Sequence, residues 1–231
     1  MNVEVMAASI PKLLAGAGLT LELVAISLAI GFVLAVPIAL ARVSGRIWLN
    51  GPAYAYVFFF RGTPVLVQIF LIYYGLSQFE GIRKGPLWPF LREAYWCAII
   101  ALTLNTAGYT AEIIRGGIQG VPHGEIEAAR ALGMSRLLVL RRIILPRAMR
   151  LALPAYGNEV ILLLKVSALA STITLLELTG VARTIIARTY MPIELFAMAG
   201  LIYLAMTLAI TRAIKALEYW LSPHTRPPRP A

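Results

Sequence analysis

Residues Glu127 to Pro146 read EAARALGMSRLLVLRRIILP, and this stretch decides how the chain is organised. It lies between long apolar runs, yet it opens on a strong helix former, Glu127-Ala128-Ala129-Arg130-Ala131-Leu132. Gly133 follows, a residue suited to ending a helix at positive φ. A second amphipathic run, Leu137 to Leu145, puts Leu137, Leu140 and Ile144 on one face and Arg136, Arg141 and Arg142 off it. Pro146 is expected to close that run. The pattern predicts two short helices folded about a glycine, with Ala128 and Ala129 offering a small surface to a partner groove. Taken as residues alone, the stretch also suits a basic interfacial loop.

The surrounding composition settles the environment. Of 231 residues, 59% are hydrophobic and 14% charged, whereas a soluble domain carries about 25% charged residues. Recurrent charge-poor apolar runs of about 20 residues predict an all-α polytopic membrane protein with about five transmembrane helices. All 11 acidic residues are Glu, and 21 Lys+Arg leave a net charge of +10. Residues 115–150 hold seven Arg and two Glu, half of that excess, beside the spans. Positive charge placed there is a topology signal and not a nucleic-acid footprint.

Five spans follow in order. The first is expected from Leu13 to Ala41, after a short leader over residues 1–12. The second runs from Tyr54 to Phe79, after a turn at Asn50-Gly51-Pro52, and is bent at Arg61-Gly62-Thr63-Pro64 because proline cannot donate to the helix. Arg61 either snorkels to the interface or serves the interior. The third, Ala94 to Ile114, carries the polar file Thr103, Asn105, Thr106, Tyr109 and Thr110, which is costly against lipid. The fourth, Ala152 to Leu176, includes Asn158, Glu159, Lys165 and Ser171. Asn158 and Lys165 fall within about 20° of each other on a helix, and Glu159 lies about 100° away. Glu177 to Glu194 reads as a link, Leu195 to Leu217 as the fifth span, and residues 222–231 as a disordered tail. With the loop at 115–150 cytoplasmic, that side holds fourteen Lys/Arg against six, which places the N-terminus outside and the C-terminus inside.

Glu127-Ala128-Ala129, Gly133, Ile143, Leu145 and Pro146 resemble, place for place, the cytoplasmic loop of permeases in binding-protein-dependent ABC importers. Further matches are Phe60-Arg61-Gly62-Thr63-Pro64, Thr103 to Glu112, Val121 to Glu127 and Leu153 to Leu162. These look like the polar amino-acid branch handling histidine, lysine, arginine and ornithine, or the related opines. Within it the chain looks most like one of two paired permeases. The resemblance covers about residues 20–220 and implies a single permease domain over 1–231. It implies that Glu127, Ala128, Ala129, Arg130 and Gly133 dock on an ATPase dimer. A second homologous permease, an extracytoplasmic solute-binding protein and membrane lipid complete the expected partners, in a bacterial inner membrane. Asn105, Tyr109, Asn158, Glu159, Lys165 and Ser171 are the expected solute path. One departure is Lys165-Val166-Ser167-Ala168, where many relatives read K-D-T-S, so no acidic neighbour stands beside this lysine.

Other classes fit less well. There is no G-x-x-x-x-G-K-[ST], so ATP-Mg is expected on the partner subunit and no cofactor on this chain. One Cys (Cys97) and two His (His123, His224) support neither a metal centre nor a Cys/His catalytic pair, and the chain reads as a transport component and not an enzyme. An ion-coupled carrier acting alone would suit the polar third and fourth spans, but no inverted repeat is evident. A channel would transport without any binding protein.

Overall fold

The structure, a computed structural model, describes residues 3–221, so the tail expected to be disordered lies outside the described residues. Among the described residues four helices are long and apolar enough to cross a bilayer, and a bent pair makes a fifth crossing if its two halves count as one span. Helix α1, Val3–Arg42, spans 40 residues. It absorbs the expected leader, Pro11 included. The bond lost at Pro11 is offset because Leu13 and Ala17 are buried against Leu178, Ala182 and Ala199.

Helix α2, Ile47–Gly62, starts earlier than expected, with Pro52 one turn inside it. Helix α3, Val65–Phe70, continues through a π turn to Gly75 and a 3₁₀ turn to Gln78. The α2 and α3 axes differ by 104°, a break and not the expected bend. Thr63, which precedes the proline, is extended at φ −112° and ψ 145°. Pro64 cannot give Phe60 O the hydrogen bond a helix requires there. Instead Gln68 Nε2 donates to it at 3.0 Å and Asn105 Nδ2 donates to it at 3.0 Å. Inside a membrane such carbonyls must be satisfied by protein, and here they are.

After single helical turns at Glu80–Arg83 and Trp88–Leu91, helix α4, Ala94–Gln119, forms the centre of the bundle. It packs against α1, α2 and the fourth span. The last crossing is close. A Cβ on Gly117 would lie 2.5 Å from Ala148 O, so the two backbones meet only because residue 117 has no side chain.

Helix α5, His123–Ala131, ends at Gly133, whose φ of +77° is the left-handed conformation expected of it. Met134 N donates to Ala129 O and Gly133 N to Arg130 O, the paired bonds that satisfy the last carbonyls of a helix. Pro146 does not close the next run. From Arg136 to Ile173 the helix is continuous over 38 residues, and its middle part, Leu145–Val166, is α6. At the π turn Leu140–Ile144, Leu145 N reaches back five residues to Leu140 O. This shift lets the helix carry a proline that donates nothing.

The expected link over residues 177–194 is mostly helical: α7, Leu178–Thr189, precedes α8, Pro192–Leu221. Glu177 caps α7, accepting from Thr179 N at 3.0 Å and Gly180 N at 2.9 Å. It also accepts from Thr20 Oγ1 of α1 at 3.3 Å and Tyr203 OH of α8 at 2.8 Å. One buried carboxyl thus ties three helices together. Burial pushes it above the ordinary carboxylate range, against the pull of those donors.

Candidate functional site

Two surfaces stand out at opposite ends of one helix. At the loop end, Glu127, Ala128, Arg130 and Gly133 are exposed. Ala129 is not: it is buried inside the fold, so the expected two-alanine surface reduces to Ala128. The apolar part of this surface is instead Leu132 and Leu137, 83% and 74% exposed. Val139, not Leu137, is the buried side chain of the second run. Glu125 accepts from Arg147 Nη2 at 2.7 Å, so α5 is tied to the start of α6.

At the membrane end, α4 and α6 enclose a cleft of about 210 Å³ lined by Asn105, Tyr109 and Glu159, with apolar walls from Val65, Leu162 and Leu163. Glu159 is buried, and its one hydrogen bond comes from Thr106 Oγ1, which donates to Oε1 at 2.8 Å. Among the described residues no Lys or Arg forms an ion pair with it. A carboxylate in that setting is expensive unless a cation reaches it. Asn105 lines the cleft and also has a structural task. It donates to Phe60 O and to Gln68 Oε1 at 3.1 Å, and so holds the α2–α3 break that forms one wall.

Of the six expected path residues, the fold gathers Asn105, Tyr109 and Glu159 and leaves three elsewhere. Asn158 and Lys165 share an exposed face of α6 with Leu151, Pro154, Ala155 and Leu162. Lys165 makes no hydrogen bond or ion pair among the described residues, as its missing acidic neighbour implies. Ser171 lies in the 3₁₀ turn Ser167–Ile173, on a separate cleft of 470 Å³ with Arg183 and Arg188.

Sequence reasoning missed Gln68 and a charge cluster at the loop end of α4. There Glu112 Oε1 accepts from Arg42 Nε at 3.1 Å, and Oε2 pairs with Arg115 at 2.8 Å. Arg42 also bonds Asn50 Oδ1 and lies over the Tyr54 ring. Arg61 does not snorkel freely: its guanidinium stacks 5.1 Å from the Tyr109 ring centre. The clue available was Pro64 itself, which leaves the carbonyl four residues earlier in want of a donor.

Comparison with known proteins gives a consistent result. Residues 27–223 match the family model described as the binding-protein-dependent transport system inner membrane component. The octopine transport system permease protein OccM of Rhizobium meliloti is 58% identical over 217 residues, 94% of this chain and 89% of that one. The nopaline transport system permease protein NocM of Agrobacterium fabrum is 55% identical, over 98% of this chain and 94% of its own. The histidine/lysine/arginine/ornithine transport system permease protein HisM of Escherichia coli K12 is 45% identical, over 92% and 90%. A crystal structure of an amino acid ABC transporter with histidines superposes at a TM-score of 0.85 and 36% identity, over 95% and 99% of the two chains.

Proposed function

The chain belongs to the family of binding-protein-dependent transport system inner membrane components, and on that premise we propose that it is the permease subunit of an ABC importer for basic amino acids or opines. One observation carries the proposal. The helix Arg136–Ile173 runs unbroken from the exposed loop surface to the cleft that holds Glu159. A rigid element with a docking surface at one end and a solute-sized cleft at the other converts a push on the loop into movement of the cleft wall.

In this reading an ATPase dimer, carrying ATP-Mg, grips Glu127, Ala128, Arg130 and Leu132. The turn at Gly133 keeps α5 at a fixed angle to the helix it moves. ATP binding and hydrolysis on the partner alternate the access of a path at the interface with a second permease. The exposed stripe Asn158, Leu162 and Lys165 faces that second permease. Glu159 meets the cationic end of the solute, which a soluble binding protein delivers. The N-terminus lies outside and the C-terminus inside.

The test is reconstitution with both partner subunits and the binding protein. Uptake stops when ATP is depleted at constant proton gradient, and Glu127→Lys assembles normally but loses binding-protein-stimulated ATP hydrolysis. Uptake that persists without ATP, or normal stimulation in Glu127→Lys, refutes the proposal.

A further inference from the structure

A different cleft, apart from the one that holds Glu159, opens at the loop end of the bundle between α1, α2 and α4. Its volume is about 340 Å³, and Arg42, Tyr54, Val57, Phe58, Arg61 and Glu112 line it. Arg42 stands in the last turn of α1. Glu112 lies about 10 Å along the axis from the end of α4 at Gln119. The cleft therefore sits at the edge of the membrane-spanning part, where exposed Trp48 and Tyr54 suit a membrane interface.

Charge gathers there without balance. Glu112 accepts from Arg42 Nε on one oxygen and from Arg115 Nε on the other, and Arg61 Nη1 makes a longer ion pair with it at 3.9 Å. Three guanidinium groups against one carboxylate leave the cluster at +2. Arg42 spends Nε on Glu112 and Nη1 on Asn50. The Arg61 guanidinium, 43% exposed, has its face on Tyr109 and makes no hydrogen bond among the described residues, so its N–H groups are open to an acceptor. The wall beside these cations is apolar and uncovered: Tyr54 and Phe58 are 52% and 67% exposed and stack on one another. Excess positive charge at the interface, with an aromatic stripe leading from it into the bilayer, fits a lipid, phosphate to the guanidinium groups and chains to the stripe. A free anion would use the cations alone. A helix of a second permease laid over the stripe would bury the excess cations without a counter-charge, which is costly.

We infer that this cleft binds one anionic phospholipid, its phosphate on Arg61 and Arg42 and its acyl chains along Phe58. The guanidinium fork matches phosphate oxygens bidentately. The cluster's charge selects the headgroup: a phosphoglycerol brings a net negative charge to it, whereas a phosphoethanolamine brings its own ammonium into a site that is already cationic. Arg115 is a positioning residue, because by taking one oxygen of Glu112 it leaves Arg61 with only the longer contact. In the orientation proposed above the lipid belongs to the cytoplasmic leaflet. Since α2 ends at Gly62, beside Arg61, the bound lipid fastens α2 to α1 and α4 just ahead of the break.

The experiment reconstitutes the complete complex, with its partner permease and ATPase, in bilayers of equal phosphatidylglycerol and phosphatidylethanolamine, and counts retained lipids by native mass spectrometry. The wild type retains phosphatidylglycerol about 10- to 100-fold in preference, the range of a charge-assisted pair. Arg61→Gln loses that preference. Tyr54→Glu, at an exposed position of the same wall, lowers the cluster's charge and loses it too, and this variant decides the matter if Arg61→Gln does not assemble. Arg46→Gln removes an exposed charge that is not in the cleft and leaves the preference intact. An unchanged preference in Arg61→Gln or Tyr54→Glu overturns the inference. So does an equal loss in Arg46→Gln, which would show general surface attraction, or displacement of the lipid by millimolar inorganic phosphate, which would show a free-anion site. A complex that retains no phosphatidylglycerol also overturns it, the second permease then covering the cleft. Solute and ATP are absent from the measurement, so its failure is distinct from failure of the transport reading.

Discussion

Thr106→Val isolates one hydrogen bond in the cleft. Thr106 Oγ1 donates to Glu159 Oε1 at 2.8 Å, and nothing else among the described residues hydrogen-bonds that carboxylate. Valine has the same shape as threonine and keeps the methyl that packs on Gly31 of α1, where a Cβ would lie only 2.5 Å from Thr106 Cγ2. The change therefore removes a donor without opening a cavity. A hydrogen bond to a charged group contributes about 1.5–3 kcal/mol. At 1.4 kcal/mol per decade that is about a 10- to 150-fold effect. Part of it falls on stability, because Glu159 stays buried with no donor, and part on solute binding, because nothing aims the carboxylate at the cleft. The assay is solute binding to the assembled complex, with melting temperature measured on the same sample. The expected outcome is weaker binding of a cationic amino acid with a complex that still assembles. Unchanged affinity and unchanged melting temperature together would refute the role given to the pair.

Three further outcomes follow from the same geometry. Gly117→Ala places a Cβ 2.5 Å from Ala148 O and 3.1 Å from Ala152 Cβ, so α4 and α6 are forced apart at a cost of about 1–3 kcal/mol, read as a lower melting temperature of the complex. Asn105→Leu takes a donor from both Phe60 O and Gln68 Oε1 and costs about 1–3 kcal/mol, and protease sensitivity at the α2–α3 break should rise before that of α8. Glu177 holds its proton more tightly folded than unfolded, so its contribution to stability is complete below the ordinary value of 4.5 and is lost as pH rises through its raised folded value. Glu177→Gln abolishes that part of the pH slope of the melting temperature, and identical slopes in the two proteins would contradict it.

What could be read from residue order alone was whatever depends on neighbours in the chain. The loop surface needed only a helix former, a glycine and a second amphipathic run, and Gly133 does take positive φ. The apolar runs, including one interrupted by Pro64, correspond to four spanning helices and a broken pair. The helical period alone placed Asn158, Leu162 and Lys165 on one face, and all three are exposed together. Local signals also misled where packing outweighed them: Pro11 and Pro146 each cost a bond, yet neither ends its helix.

The cleft is another matter. Glu159 meets Thr106 from 53 residues away, and Asn105 reaches Phe60 O across 45. Glu177, read as part of a link, joins α1, α7 and α8. Arg61 stacks on Tyr109 while Arg42 and Arg115, from two other elements, take Glu112. None of these pairings follows from periodicity, which states what lies on one face of a helix but not which face of its neighbour it meets. That is set by the rotation and depth at which helices cross. Contacts such as Gly117 against Ala148 fix both, and they exist only once the whole bundle has packed.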